Sequence, residues 1–130
     1  MKDLFVAEME VRDYECDLQG IVNSANYLHY FEHTRHLYLK SHGVSFAELH
    51  ERGIDCVVAR MNLAFKTPLR PGDKFRSLLW AEKDGLKYVF HQELRIKETG
   101  KTACRVQVDV VCLVNGVLSP CPELAELLNL

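Results

Sequence analysis

Asp17 and the helix start that follows it, where Asn23, Ser24 and Asn26 are all acceptable N-caps, are best placed to do chemistry in this chain. They bracket an acidic, Gly-containing loop in the stretch VRDYECDLQGIVNSANYLHYFEHTR, from Val11 to Arg35. A strand gives way there to the start of the longest helix. The first N–H groups of a helix have no internal partner, and the helix dipole adds partial positive charge at that end. An anion, or an oxygen that becomes anionic during a reaction, is stabilised at such a point. A carboxylate just before it makes a kit for attack on an activated carbonyl. Asp17 would act as a nucleophile or as a base in a dry pocket, and the residue types leave both routes open. The first helical residue is open by a few positions, so the residue types alone do not say whose backbone N–H is the exposed one. Asn23 suits a helix cap and, equally, a hydrogen bond to substrate or water. The plainer reading of Asp17 is a loop residue closing its own turn.

Other reactive residues fare less well. His29, Glu32 and His33 spell H-x-x-E-H, an inverted zinc-protease pattern with the two His one helical turn apart. All three fall on the polar stripe of an amphipathic helix, and no spacing elsewhere nominates a third protein ligand, so no metal is expected. His36 reads as solvent-facing. Cys16 adjoins Asp17 but has no His in the loop to activate it, which makes it a bystander. Ser41 and His42 adjoin without a triad. The cysteines, at 16, 56, 104, 112 and 121, are scattered and never form CxxC. Reduced thiols in a cytoplasmic protein are the expectation.

The elements that must position Asp17 follow from periodicity. Leu4 to Arg12 alternates, with Phe5, Ala7, Met9 and Val11 on one side, as a half-buried strand does. Asp13 to Val22 has no regular period and reads as a loop. From about Asn26 to His42 the period becomes helical, with Tyr27, Tyr30, Phe31, Thr34, Leu37 and Tyr38 as the apolar stripe. Gly43 supplies the stop. A short helix follows from Ser45, whose spacing to Glu48 is that of a capping box. Strands are then expected over Cys56 to Lys66, Asp73 to Lys83, Lys87 to Lys97 and Thr102 to Val114, and a last short helix over Pro122 to Leu128. Asp84 and Gly85 read as the hairpin turn between the second and third of these strands.

The product is an α+β fold, an antiparallel five-stranded sheet wrapped around one long central helix. In Cys56 to Lys66, the residues Val57, Ala59, Met61, Leu63 and Phe65 are expected to share the core face. Val58, Ala64, Leu78, Trp80, Val89, Val111 and Leu113 fall out of phase with the core and would make the outer face apolar too. An antiparallel sheet apolar on both faces needs a cover, and a second copy of the chain is the expected one.

Composition bounds the rest. At 130 residues and net charge -2, with both signs mixed along the chain, the sequence suits one domain, 1–130, with no nucleic-acid footprint. Lys2, Asp3, Glu8 and Glu10 interrupt any signal-peptide core, and no apolar run reaches membrane-spanning length.

Tyr14, Asp17, Gly20-Ile21-Val22, Asn26-Tyr27-Leu28, Phe31-Glu32 and Arg35, with Phe65, Pro68-Leu69 and Gly72-Asp73 further on, resemble the hot-dog-fold acyl-CoA thioesterases of the 4-hydroxybenzoyl-CoA thioesterase family. The resemblance implies a sheet curled around the helix, active sites at dimer interfaces, and two dimers paired into a homotetramer. It makes Asp17 the catalytic carboxylate, Ser24 the helix-start amide that polarises the thioester carbonyl, and Gly20 the glycine that lets the loop approach the substrate. Some relatives carry Tyr and His where this chain has Asn23 and Ser24. Coenzyme A would enter as part of the substrate, with no separate cofactor, and its phosphates call for cations. Lys83 and Lys87, beside the Asp84-Gly85 turn, are preferred over Arg60, Lys66 and Arg70; Tyr27 and Tyr30 would line the acyl tunnel, with packing in the helix core as the plainer role for both. The function implied is hydrolysis of an acyl-CoA to a carboxylic acid and coenzyme A. The alternatives are a non-catalytic acyl-CoA or acyl-carrier-protein binding module on the same fold, and a zinc hydrolase at His29 and His33.

Overall fold

A computed structural model describes residues 4–130; Lys2 and Asp3 lie outside them. Strand β1 (Phe5–Glu10) leads through a 3-10 turn (Asp13–Glu15) into helix α1 (Ser24–Ser41) and the short helix α2 (Phe46–Glu51). Strands β2 (Ile54–Phe65), β3 (Lys74–Asp84), β4 (Lys87–Ile96) and β5 (Thr102–Val114) follow, then β6 (Val117–Leu118) and α3 (Pro122–Leu128). The sheet is antiparallel in the order β1-β3-β4-β5-β2, with β6 appended to β5. It curls around α1 as a hot-dog fold.

The core lies between α1 and the concave face of the sheet. Tyr27, Tyr30, Phe31, Thr34, Tyr38 and Leu39 are buried from the helix side. Phe75, Leu79, Phe90, Leu94, Val106 and Val108 meet them from the strands. The stripe is rotated from its expected course: Arg35 and Leu39 are buried, while Leu37 is only half-buried. The Arg35 guanidinium is accommodated by the buried amide of Gln92 on β4. Thr34 on α1 and Ser77 on β3, both buried, share a 2.6 Å hydroxyl contact that ties the helix to the sheet.

Three departures from the expected strands have local causes. The β2–β5 register shifts between Val58 and Arg60, so one extra residue sits in β2 there. A bulge of this kind inverts the side-chain phase on either side of it. Val57 pairs with Val111 and Val58 with Val110; Val57, expected in the core, is exposed, and Val58 is exposed as expected. Ala59 and Phe65 are exposed, and only Met61 and Leu63 of the expected core row are half-buried. Next, Asp84 pairs directly with Lys87, which makes Gly85-Leu86 the two-residue turn. Gly85 has φ +61, and Leu86 has no positive φ, as a type II′ hairpin requires. Finally, Asn115 (φ 50) and Gly116 (φ 80) do more than end β5. They form a tight hairpin into β6, the strand that periodicity could not reveal because it has two residues. Among the described residues, no helix is long and apolar enough to cross a membrane.

Candidate active site

The loop that follows β1 is closed rather than irregular. Backbone bonds between Val11 and both Asp73 and Gly72 fix its entry to the β2–β3 connection (2.8 and 3.0 Å). The 3-10 turn then leads to an antiparallel bridge between Cys16 and Val22. Inside that bridge the Asp17 N–H donates to the Ile21 carbonyl at 2.9 Å, and the Gly20 N–H donates to the Asp17 carbonyl at 3.0 Å. Gly20 has φ +73, a conformation that an L side chain adopts only with strain. Val22 N–H docks the far side of the loop on the Leu69 carbonyl at 2.8 Å.

Glu15, which no pattern in the sequence singles out, anchors this loop to the helix. Its side chain is buried, and Oε1 accepts the Tyr30 hydroxyl and the Arg12 N–H, both at 2.8 Å. The Arg12 guanidinium bonds Oε2 at 2.9 Å. Burial opposes the charged form, but the bonds from Arg12 and Tyr30 outweigh it and hold the carboxyl below the usual Glu range. The Glu15 carbonyl accepts from the Asn23 N–H (3.2 Å) and from the Asn26 side-chain amide (2.8 Å). Loop and helix start are thus held by both ends of one residue.

At the helix start, Asn23 is the N-cap, and its side chain accepts the Ala25 N–H at 2.8 Å. The Asn26 N–H turns back to the Asn23 carbonyl at 2.9 Å. The Ser24 N–H has no hydrogen-bond partner among the described residues. Asp17 and Ser24 line one groove of 340 Å³, with Tyr27, Phe65, Lys66 and Thr67 among its other walls. The exposed Asp17 carboxylate gives Oδ1 to the Gln19 N–H at 2.8 Å, closing its own turn, while Oδ2 has no partner among the described residues. One carboxylate oxygen and one helix-start amide therefore remain unpaired, on two residues that line the same groove. That arrangement can add an oxygen to a carbonyl, or hold a water against one, while a donor faces the developing oxyanion.

The other expected residues are distributed as follows. The Tyr27 ring is buried and packs edge-on to Phe65 at 5.4 Å, and its hydroxyl accepts the Leu69 N–H at 3.0 Å. Tyr27 thus borders the groove with its ring while its hydroxyl secures the β2–β3 connection. Lys83 and Lys87 do not line the groove. Lys83 Nζ bonds the Gly85 carbonyl of its hairpin at 2.7 Å, and Lys87 Nζ stands 3.7 Å from Asp109. Tyr88, next to Lys87, pairs with Val110 of β5, seven residues from the groove residue Ala103, roughly 23 Å at strand rise. The cation that does border the groove is Lys66. Burial, and then the neighbouring Asp17 carboxylate, pushes the Cys16 thiol up, which disfavours a thiolate there. His29 is exposed and bonds the Asn26 side chain at 3.2 Å, and Glu32 Oε1 stands 4.0 Å from His36 Nε2.

A long helix held in a curled antiparallel sheet defines the hot-dog class of folds. The chain belongs to the thioesterase-like superfamily, whose family model matches residues 11–126. It is 40% identical over 75 residues to an acyl-acyl carrier protein thioesterase of Arabidopsis thaliana chloroplasts, a match covering 58% of this chain. The chain spans only 40% of that relative's length. It is 33% identical over 105 residues to YneP of Bacillus subtilis, a candidate acyl-CoA thioesterase by its own name, covering 75% of this chain and 76% of that one. Among solved structures, a 1,4-dihydroxy-2-naphthoyl-CoA thioesterase from Synechocystis superposes with TM-score 0.90 at 18% identity, over 98% of this chain and 96% of that one.

Proposed function

We propose that the protein is an acyl-CoA thioesterase of the 4-hydroxybenzoyl-CoA thioesterase type, releasing a carboxylic acid and coenzyme A. What supports this reading is that Asp17, with Oδ2 unpaired, and Ser24, with its N–H unengaged, line one groove. As nucleophile, Asp17 adds to the thioester carbonyl, the C–S bond breaks, coenzyme A leaves as thiolate, and water cleaves the resulting anhydride. As base, Asp17 takes a proton from the water that attacks the carbonyl. In both routes the Ser24 N–H donates to the oxyanion. Asn23 holds that helix start, Gly20 keeps the loop near the substrate, and Tyr27 flanks the acyl group. No resident metal or cofactor takes part.

The same reading makes the protein a cytoplasmic homo-oligomer of one hot-dog domain, 1–130, built as a homotetramer. β2 is an edge of the sheet and carries exposed Val57, Val58 and Phe65. Antiparallel pairing of two β2 strands would satisfy this edge. It would also bring the hairpin end of one sheet beside the groove end of the other, so that Lys83 and Lys87 serve the coenzyme A phosphates of the partner's groove.

Asp17→Asn is the informative variant, because its amide oxygen keeps the bond to the Gln19 N–H while the charge is removed. With an acyl-CoA panel and thiol release as readout, kcat/KM should fall ~10²-fold or more. Full activity in Asp17→Asn would overturn the mechanism. A single turnover in ¹⁸O-water then separates the routes, since only a nucleophilic Asp17 retains the label. The Gln19 bond also favours a second reading, a non-catalytic acyl-CoA or acyl-carrier-protein binding module in which Asp17 only closes its turn. That reading requires ligand binding without thiol release.

A further inference from the structure

The five cysteines are free thiols, and two of them meet. Cys56 on β2 and Cys112 on β5 face each other across an antiparallel pair, with their Sγ atoms 3.8 Å apart. The ladder fixes which kind of pair this is. The Asn115 N–H donates to the Gly53 carbonyl at 2.7 Å, which makes these two residues a hydrogen-bonded pair. From there the ladder alternates: Ile54 and Val114 are a non-hydrogen-bonded pair, Asp55 and Leu113 a bonded one, and Cys56 and Cys112 again a non-bonded one. Cα atoms in such a pair stand about 4.5 Å apart, inside the window of about 4.4–6.8 Å that a disulfide spans. Closing the sulfurs from 3.8 Å to a bond of about 2.0 Å therefore asks for side-chain rotation rather than a change of register.

The two thiols are not equivalent. Cys112 is fully buried, whereas Cys56 is half-buried and lines a cavity of 240 Å³ between α1 and the sheet. Glu32 and His36, whose side chains are more than half exposed, line the same cavity, so its rim reaches solvent. A small oxidant that enters there meets the Cys56 sulfur and not that of Cys112. A hydrogen bond from the Cys112 thiol holds Cys56 below the ordinary thiol range, against the opposing effect of burial. The same contact, together with burial, pushes Cys112 up. Cys104, eight residues earlier on β5, shows burial alone, which pushes its thiol up to about 11. Cys56 is thus the attacking sulfur and Cys112 the one that resolves. Cys121, at the N-cap of α3, also acts on Cys112, but it is buried and does not line the cavity.

We propose that Cys56 and Cys112 are a peroxide-reactive dithiol that closes reversibly into a disulfide joining the edge strand β2 to β5. The Cys56 thiolate attacks one oxygen of hydrogen peroxide: an S–O bond forms, the O–O bond breaks, and the other oxygen leaves as water with the proton that Cys56 gave up. Cys112 then attacks the Cys56 sulfur: the S–S bond forms, the S–O bond breaks, and a second water carries off the Cys112 proton. The two thiols lose two electrons, and the peroxide takes up the same two. A dithiol reductant reverses the step by exchange and becomes the disulfide itself. The site shares no lining residue with the groove of Asp17 and Ser24, so it stands whether or not the hydrolase reading holds.

In the test, the full chain is reduced, exposed to hydrogen peroxide, quenched by thiol alkylation and mapped by mass spectrometry. One link within the chain, between Cys56 and Cys112, should appear, with the intact mass lower by two hydrogens, and dithiothreitol should restore both thiols. Cys56 should be oxidised ~10-fold or more faster than Cys104, in line with their thiolate fractions. Cys112→Ser should halt the reaction at the Cys56 sulfenic acid, which dimedone labels, and Cys56→Ser should form no link. The wild-type map decides the matter even where a variant fails to fold. A chain that keeps all its thiols under peroxide overturns the proposal. So does a link from Cys112 to Cys121, a link between the Cys56 residues of two copies, or a wild-type Cys56 that climbs to sulfinic acid without a link.

Discussion

The Tyr30 hydroxyl donates a 2.8 Å hydrogen bond to the buried carboxylate of Glu15, joining the second turn of α1 to the loop that bears Asp17 two residues later. Burial and the Glu15 carboxylate both push the Tyr30 phenol up, so it remains a donor. Removing it leaves a buried charge with one partner fewer. Tyr30→Phe should cost ~1.5–3 kcal/mol in chemical denaturation, the range for a hydrogen bond to a charged group. Because the loop loses its side-chain tie to the helix and keeps only those of the Glu15 carbonyl, kcat should fall as well. Loss of stability with kcat unchanged would show that Asp17 is positioned by the Cys16–Val22 bridge alone.

The Glu15 carboxyl supplies a pH dependence whose sign follows from its lowered pKa in the folded state. Its stabilisation is complete above the ordinary Glu range and is lost as pH falls through the lowered folded-state value. Glu15→Gln should therefore destabilise the protein at neutral pH and flatten the acid side of its stability profile. Melting temperatures across the acid range, wild type against variant, should converge as pH falls. Parallel curves would remove Glu15 from the account.

Much of this arrangement is legible in the sequence, and the exceptions share a cause. Periodicity finds β1, α1, β5 and α3 because each is a regular run with one buried face. It misplaces Val57 and Ala59 because a single inserted residue inverts the phase, and nothing in the composition of β2 marks where. It passes over Glu15 and Arg35 because a charged residue reads as surface until its partners are known, and those partners, Tyr30 and Gln92, lie fifteen and fifty-seven positions away. Asp17 and Ser24 stand out because a loop and a helix cap are local features. The cation bordering their groove, Lys66, does not, since only tertiary structure brings the end of β2 to that point.

Gly53, between α2 and β2, has φ +77 and sits against Asn115, whose N–H donates to the Gly53 carbonyl at 2.7 Å. A Cβ at this position would meet the Asn115 side chain. That side chain can move, but the left-handed backbone conformation cannot be relieved in the same way. Gly53→Ala should cost ~1–2 kcal/mol from backbone strain. Thermal unfolding would report it, and kcat on the acyl-CoA panel should change little, because Gly53 lies outside the groove.

Trp80, the sole tryptophan, stacks on His91 on the outer face of the sheet, with ring centroids 3.9 Å apart. Leu4 and Leu78 border the same shallow depression of 600 Å³. If a second copy covers this face, as proposed, Leu78→Glu should bury a charge in the contact and lower the native mass. Trp80 emission should shift to the red together with that change, as the indole meets water. A native mass unchanged in Leu78→Glu would move the oligomer contact to the β2 edge alone.

Asn23 separates the capping role from the catalytic one. Its side chain accepts the Ala25 N–H, so Asn23→Ala should lose ~1 kcal/mol of stability. Asn23→Asp keeps an acceptor at the same place and adds a negative charge to the positive end of the helix dipole, worth ~0.3–1 kcal/mol in favour of folding. That charge also stands one residue before the amide assigned to the oxyanion, where a second anion opposes the negative charge that builds up in the transition state. Asn23→Asp should therefore raise the melting temperature and lower kcat, most at low ionic strength, where screening is weakest. A helix start used only for capping would gain stability with no loss of turnover, so the opposite signs of the two readouts test whether the Ser24 N–H meets a developing charge.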